Sequence, residues 1–321
     1  MIKKSSKIYI AGHNGLVGRA LHNLLLKSGY KKILYKNRKE LDLTNSKKVN
    51  NFFKKNNPEF LIICAAKVGG ILENKNYPME FLLDNLSIQK NLLLAAKKYN
   101  IKRTIFLGSS CIYPKKVKIP IKENYLMTGK LEKSNESYAL AKIVGMKLCE
   151  IMYHKFKKDV ICLMPTNLYG ADDNFDIQSS HVIPGLISKF ILAKRKKSDV
   201  KIWGSGKPIR EFLHVNDLVN AIVVLLKTNS AKLKMINKNE LPVINVGSGE
   251  SISIKNLALL IKNISKFKGK ITFDRSYPDG TINKNLDSSK IKKLKWQPKI
   301  ILSKGLKKII ETRNKKLINE K

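Results

Sequence analysis

Residues 7–20 run Lys7-Ile-Tyr-Ile-Ala-Gly12-His-Asn-Gly15-Leu-Val-Gly18-Arg-Ala20. A short apolar run stops at a glycine, and the glycines then repeat as GxxGxxG. Such a run reads as a buried strand, and the turn after it feeds a helix whose first backbone N–H groups have no partner within the helix. Those N–H groups, with the helix dipole behind them, suit an anion. Each glycine has its own task. Gly12 makes the tight turn, Gly15 lets a pyrophosphate approach the backbone, and Gly18 lets the helix close on the strand. A glycine triplet alone is a weak signal, and this one gains weight from its place at the head of an alternating pattern.

The pattern continues outward from that turn. Apolar runs predict strands at Lys7–Ala11, Lys32–Tyr35, Phe60–Ala65, Thr104–Gly108, Val160–Met164 and Val243–Val246. Helical spacing falls between them at Gly18–Ser28, Asn85–Tyr99 and Tyr138–Phe156. Short, continuous runs rich in Ile, Leu and Val suit a parallel sheet covered on both faces. The expected fold is α/β, a Rossmann-type doubly wound parallel sheet. The lysine-rich stretch Ser188–Lys201 is expected as a solvated helix face, and Ser303–Lys321 as an amphipathic helix that frays.

The chain has 321 residues, with Lys+Arg 63 against Asp+Glu 24 and a formal net charge of +39. That balance invites a nucleic-acid or membrane-surface partner. The kind of base argues otherwise, because only seven of the 63 are arginine and the 56 lysines are spread over nearly every segment. Readers of base edges and phosphates rely on the bidentate arginine fork. A basic nucleic-acid-binding Rossmann protein therefore stands only as the different-class alternative, and no nucleic-acid partner is expected. Four cysteines lie far apart with no CxxC pair, which argues against a zinc site or a disulfide scaffold and suits a reducing, cytoplasmic compartment. No apolar run reaches the roughly 18 residues of a membrane span, so no membrane partner is expected.

Cofactor preference is legible after the second strand. The sequence there is Tyr35-Lys36-Asn37-Arg38-Lys39. An NAD-selective site places an acid at this point to bind the ribose 2′-hydroxyl. No acid stands at the strand end, and Arg38 can fork onto a 2′-phosphate. NADP(H) is therefore expected over NAD(H).

Ser137-Tyr138-Ala139-Leu140-Ala141-Lys142 contains YxxxK. On a helix, positions four apart share a face, so the Lys142 ammonium can lower the Tyr138 pKa and hold a cofactor ribose. The tyrosine can then exchange a proton with a carbonyl at neutral pH. One strand–helix step earlier, Leu107-Gly108-Ser109-Ser110-Cys111 puts a serine just past a strand end, where open α/β sheets bind ligands.

GxxGxxG, a serine after the fourth strand and YxxxK together resemble the extended short-chain dehydrogenase/reductase family. The resemblance extends to Ala65-Ala66-Lys67-Val68-Gly69-Gly70-Ile71, Gly108-Ser109-Ser110-Cys111-Ile112-Tyr113-Pro114, Met164-Pro165-Thr166-Asn167-Leu168-Tyr169-Gly170, Ser180-His181-Val182-Ile183-Pro184, Trp203-Gly204-Ser205-Gly206, Arg210-Glu211-Phe212-Leu213-His214-Val215 and Pro278-Asp279-Gly280-Thr281. It runs from Ile8 to about Trp296, and it points within the family to enzymes that both epimerise and reduce a GDP-4-keto sugar.

The resemblance implies an NADP-dependent oxidoreductase and isomerase acting on GDP-4-keto-6-deoxy-D-mannose. C3 and C5 would be epimerised, then the C4 ketone reduced by NADPH to give GDP-L-fucose. It makes Ser109, Cys111, Tyr138, Lys142 and His181 the catalytic set, with Cys111 as base and His181 as acid. Cofactor contacts would come from Gly12, Gly15, Leu16, Val17, Gly18, Arg38, Leu107, Gly108, Lys142, Pro165, Asn167, Leu168 and His181. Substrate contacts would come from Lys189, Trp203, Arg210, Asp279 and Lys284.

The resemblance also implies a smaller, discontinuous C-terminal α/β substrate domain. Residues 1–170 with about 212–248 would form the NADP-binding part, and 171–211 with 249–321 the cap. A homodimer through Asn85–Tyr99 and Tyr138–Phe156 is expected on the same ground. The chain departs from the family text at His13-Asn14, which replaces a more basic glycine loop. It departs again at Ala171-Asp172-Asp173, which replaces a proline, and at Ile282-Asn283, which replaces a Pro-Arg-like pair. The alternative inside the family is another nucleotide-sugar 4-epimerase or 4-reductase, which would need neither Cys111 nor His181. Cys64, Cys149 and Cys162 read as small core hydrophobes, His13, His154 and His214 as structural, and Tyr113 as packing.

Overall fold

The computed structural model describes residues 1–238, 240–277 and 279–319, with side chains to residue 315. In chain order the elements are β1 (Ile8–Ala11), α1 (Leu16–Lys27), β2 (Ile33–Leu34), α2 (Ser46–Asn56), β3 (Phe60–Ile63), α3 (Ile71–Asn76), α4 (Pro78–Lys98), β4 (Arg103–Leu107) and α5 (Glu136–His154). There follow β5 (Val160–Pro165), β6 (Asn167–Tyr169), α6 (Val182–Lys196), β7 (Val200–Trp203), β8 (Ile209–His214), α7 (Val215–Lys227), α8 (Ser230–Ile236) and β9 (Val243–Val246). The chain finishes with β10 (Ser251–Ser253), α9 (Ile254–Ser265), β11 (Ile271–Asp274), β12 (Asn283–Lys284), α10 (Ser289–Lys292) and α11 (Leu302–Asn319).

Six strands form one all-parallel sheet in the order β2-β1-β3-β4-β5-β9, and they are the six expected from the apolar runs. Alternation along each strand divides the core in two. Ile8, Ile10, Ile62, Ile105, Leu163 and Val246 face α1 and α7, while Tyr9, Leu61, Ile63, Phe106, Cys162 and Val243 face α2, α4 and α5. Both faces are therefore apolar and covered, as a doubly wound sheet requires. The chain leaves β1 to one side for β2 and then crosses to β3 on the other. That reversal opens a crevice beyond the C-terminal ends of β1 and β3, where ligands bind in such sheets.

Helix α4 starts at Pro78, seven residues before the expected Asn85, because proline at the first helical position is pre-organised for a helix and loses no bond there. A third core lies apart from the sheet. It gathers Tyr169, Ile187, Phe190, Ile202, Phe212, Leu257, Ile261, Leu306 and Ile310, with β8 flanked by β6, β10 and β12 and with β7 paired to β11. The stretch expected as a solvated helix face is divided. Phe190 is fully buried, Lys197 ends α6 in a left-handed turn (φ 52°), and β7 begins at Val200. Ile291, Leu294 and Trp296, in a stretch assigned above to the cap, pack instead in the first core, with Trp296 Nε1 donating to the Asp217 carbonyl at 3.2 Å.

Candidate active site

The glycine turn is shaped for an anion. Gly12 sits at φ 87°, and a Cβ there would lie 2.6 Å from the Ala65 backbone. A Cβ on Gly18 would run into the Gly12 carbonyl, so α1 could not close on β1. At Gly15 the nearest atom to a Cβ would be 3.6 Å away, which leaves room in front of the turn. Gly15 also stands at the N-cap of α1 without a side-chain cap, and the first turn carries no acid. Leu16 and Val17 follow it, half-buried. These N–H groups and this space fit a dinucleotide pyrophosphate.

Beyond β2, Arg38 is exposed. The acid nearest in sequence, Glu40, is already held by Lys36 Nζ at 2.6 Å and by the Asn37 N–H at 3.0 Å, and those bonds keep its carboxyl below the ordinary value. His13 packs on Tyr35 at 4.7 Å between centroids, and Tyr35 meets His22 edge-on at 4.8 Å. Burial, then the neighbouring His22, lowers the His13 pKa.

At the end of β4, Gly108 packs where any side chain would strike Met164. Ser109 caps the short turn Ser110–Ile112, its Oγ accepting the Cys111 N–H at 3.2 Å. Tyr138, on the first turn of α5, is bonded to the Ser109 hydroxyl. Burial raises the tyrosine pKa, the Cys111 sulfur adds to that, and the Ser109 bond pulls it down. Lys142 lies one turn further, only 3% exposed, with Nζ donating to the Leu107 carbonyl at 2.8 Å. Burial lowers its pKa to about 8. The expected lowering of Tyr138 by Lys142 is not seen here. The ammonium is turned to Leu107 and stands 5.8 Å from the tyrosine ring centroid, so burial prevails. Pro165 ends β5, and Asn167 and Leu168 open β6 beside it, Asn167 Nδ2 donating to the Glu211 carbonyl at 3.0 Å.

His181 is exposed at the start of α6. The loop before it is tied to the mouth of the crevice, where the Gly70 N–H donates to the Ser179 carbonyl at 3.0 Å. His181 interacts electrostatically with Asp173, whose carboxyl pKa is raised by burial and drawn back by the histidine.

The expected substrate residues fall into two groups. Lys189 Nζ sits 4.1 Å above the Trp203 ring, and Trp203 stacks on Tyr277 at 4.7 Å and 13°. Separately, Lys284 stands opposite Arg210 in the parallel register of β12 and β8, and Asp279 accepts the Ser205 N–H at 2.9 Å. Arg210 donates to the Ile209 carbonyl at 2.8 Å and interacts electrostatically with Cys111, Glu132 and Asp279, so it links this group to the thiol. Pro278 of the expected PDGT motif lies outside the described residues.

Two contacts and one electrostatic interaction escaped the sequence reading. Asn135 donates Nδ2 to Cys111 Sγ at 3.2 Å, Tyr277 stacks on Trp203, and Asp173 interacts electrostatically with His181. A faint signal existed only for Asn135, an N-cap residue type three positions before Tyr138. Cys149 and Cys162 are fully buried. His214 caps α7, its Nδ1 accepting the Asn216 N–H at 3.1 Å, and Tyr113 is buried with its hydroxyl on Asn245. Among the described residues no group of ligating side chains could hold a metal ion, and no helix is long and apolar enough to cross a membrane.

Comparison with known proteins shows the family. The "Putative GDP-L-fucose synthase 2" of Arabidopsis thaliana is 46% identical over 312 residues, covering 97% of this chain and 92% of that one. The "GDP-L-fucose synthase" of Escherichia coli (strain K12) is 42% identical over 301 residues, 94% of each. A solved GDP-mannoheptose C4 reductase from Campylobacter jejuni with NADP bound matches with a TM-score of 0.87 at 36% identity, over 98% of this chain and 100% of that one. The family model for the NAD dependent epimerase/dehydratase family matches residues 8–247, and the chain belongs to that family.

Proposed function

We propose that the chain is a GDP-L-fucose synthase, which epimerises GDP-4-keto-6-deoxy-D-mannose at C3 and C5 and reduces C4 with NADPH. The observation that carries this is the meeting of a thiol and a carbonyl-polarising pair at one strand end. Cys111, Ser109 and Tyr138 share a single turn and the helix beside it. A plain reductase needs the serine and tyrosine but gives the thiol no task.

NADP(H) suits the glycine turn for its pyrophosphate, Arg38 for its 2′-phosphate and Lys142 for its nicotinamide ribose, and when bound it supplies the hydride for C4. The residues do the rest. A proton next to a ketone is acidic. The Cys111 thiolate takes it, the C–H bond breaks, the S–H bond forms, and the electron pair moves onto the C4 oxygen. Ser109 and Tyr138 donate hydrogen bonds to that oxygen and stabilise the enolate. His181 delivers a proton from the opposite face, which inverts the carbon. Exchange with solvent resets both groups for the second carbon. In reduction the same oxygen becomes an alkoxide, and Tyr138 gives it a proton.

On the substrate side, Trp203 and Lys189 would receive the purine, and Arg210 and Lys284 the diphosphate. We assign residues 1–170 with about 212–248 to the cofactor part and 171–211 with 249–321 to the cap, except that Ile291, Leu294 and Trp296 pack in the core of the cofactor part. We also propose a homodimer. Helices α4 and α5 pack together and leave Leu83, Leu94, Leu140, Val144 and Ile151 exposed, a patch that a second copy would cover. Four free cysteines accord with a cytoplasmic setting.

The test is a reaction of enzyme, NADPH and GDP-4-keto-6-deoxy-D-mannose in D2O, read by NMR. Deuterium at C3 and C5 of a GDP-L-fucose product is expected. A reduced product without deuterium at those carbons would mean a C4 reductase instead.

A further inference from the structure

Helix α5 begins irregularly. Asn135 stands at its N-cap, where asparagine is favoured because its side-chain oxygen accepts an N–H of the first turn. No such cap bond forms. The side chain is turned away instead, Nδ2 donating to Cys111 Sγ at 3.2 Å while Oδ1 is buried without a partner. Asn135 thus forgoes its local bond for one to sulfur. Cys111 is then held from two sides, its backbone N–H by Ser109 Oγ and its sulfur by Asn135. A third polar neighbour, the Arg210 guanidinium, interacts electrostatically with the same sulfur. An N–H donor binds a charged acceptor about twice as strongly as a neutral one. This contact is therefore stronger in any step in which the sulfur carries charge.

We propose that Asn135 is a positioning residue for Cys111, holding Sγ as a thiolate aimed at the sugar ring. The proposal rests on the reading of Cys111 as the epimerisation base. Asn135 itself is unchanged by the step. It steadies the sulfur lone pair that accepts the proton, and its bond weakens once the S–H has formed.

A purely structural Asn135 would act as a helix cap, and substitution separates the two roles. Aspartate and serine cap helices as well as asparagine does. Asn135→Asp removes the donor and sets a carboxylate beside the sulfur, whereas Asn135→Ser keeps a cap too short to reach it. Two readouts are made on the folded proteins at several pH values. One is deuterium wash-in from D2O into GDP-4-keto-6-deoxy-D-mannose without NADPH. The other is iodoacetamide alkylation of the Cys111 peptide, followed by mass spectrometry.

Wash-in is expected to fall at least about tenfold at pH 7, and alkylation of Cys111 to slow several-fold there, through loss of a bond to the charged form. The KM for NADPH should be unchanged. Wild-type wash-in and unchanged alkylation in both variants would overturn the proposal. A wild-type enzyme that washes in no deuterium would overturn the role in proton transfer together with the proposed function. The alkylation profile, which needs no substrate, separates that failure from a failure of Asn135 to hold the sulfur.

Discussion

Lys142→Met should make the ligand-free protein more stable at pH 7 while abolishing turnover. The lysine is 3% exposed and has one carbonyl acceptor, that of Leu107. Burial moves its pKa from 10.5 to about 8, against smaller opposing contributions from Cys64, Cys149 and Cys162. A drop of two to three pH units at roughly 1.4 kcal/mol per unit is about 3 kcal/mol of stability withheld while the folded ammonium is charged. Methionine fills a similar volume without charge, but it leaves the Leu107 carbonyl unpaired at a cost of about 1–3 kcal/mol. The net gain is at most about 2 kcal/mol.

The sign is fixed by protonation. Above pH 10.5 the lysine is neutral in both states and nothing is withheld. Between pH 10.5 and 8 the unfolded chain takes up the proton first, so wild-type stability falls as pH falls. Below pH 8 the full penalty stands. Urea unfolding of both proteins at pH 7 and pH 10.5 measures this, because every other lysine is common to the two. The advantage of Lys142→Met should be present at pH 7 and be lost or reversed at pH 10.5. A variant less stable than wild type by the same margin at both pH values would refute the idea that Lys142 is held against its hydration.

Tyr138→Phe should lower the rate of C4 reduction by about 10²–10⁴-fold, since it removes the acid that protonates the alkoxide, while NADPH affinity by fluorescence titration stays as in wild type. Arg38→Ala should raise the KM for NADPH about tenfold or more and leave that for NADH alone, because a charge-assisted fork onto the 2′-phosphate is lost. An unchanged ratio of the two KM values would remove Arg38 from cofactor choice. The +39 net charge should speed encounter with two anionic ligands. In that case kcat/KM falls as NaCl is added from low salt while kcat holds, and a flat kcat/KM assigns the lysines no part in encounter.

The parallel sheet was legible because each of its strands is a self-contained apolar run between helical segments, as Phe60–Ile63 and Val243–Val246 illustrate. The third core was harder. Val200–Trp203 alternates and follows a lysine-rich helix end, so its strand character appears only once β11 lies beside it. Ser109, Tyr138 and Lys142 were readable because local spacing places them. The contacts of Asn135 to Cys111 and of Tyr277 to Trp203 were not, since each joins segments whose meeting depends on the folded path, 24 residues apart in the first case. Lys142 is the instructive case. Helical spacing put it on the Tyr138 face, but only the fold shows the ammonium turned to Leu107.

The chain contains two tryptophans, and the fold sets them in opposite surroundings. Trp296 is sealed in the first core with its indole N–H on Asp217, so it emits to the blue and reports the integrity of that core. Trp203 is partly exposed, stacked on Tyr277 under the Lys189 ammonium, so it emits to the red and senses whatever displaces either neighbour. One emission spectrum therefore carries two separable optical channels. Unfolding should move the blue band, and any ligand that stacks on Trp203 should move the red one, with no label attached.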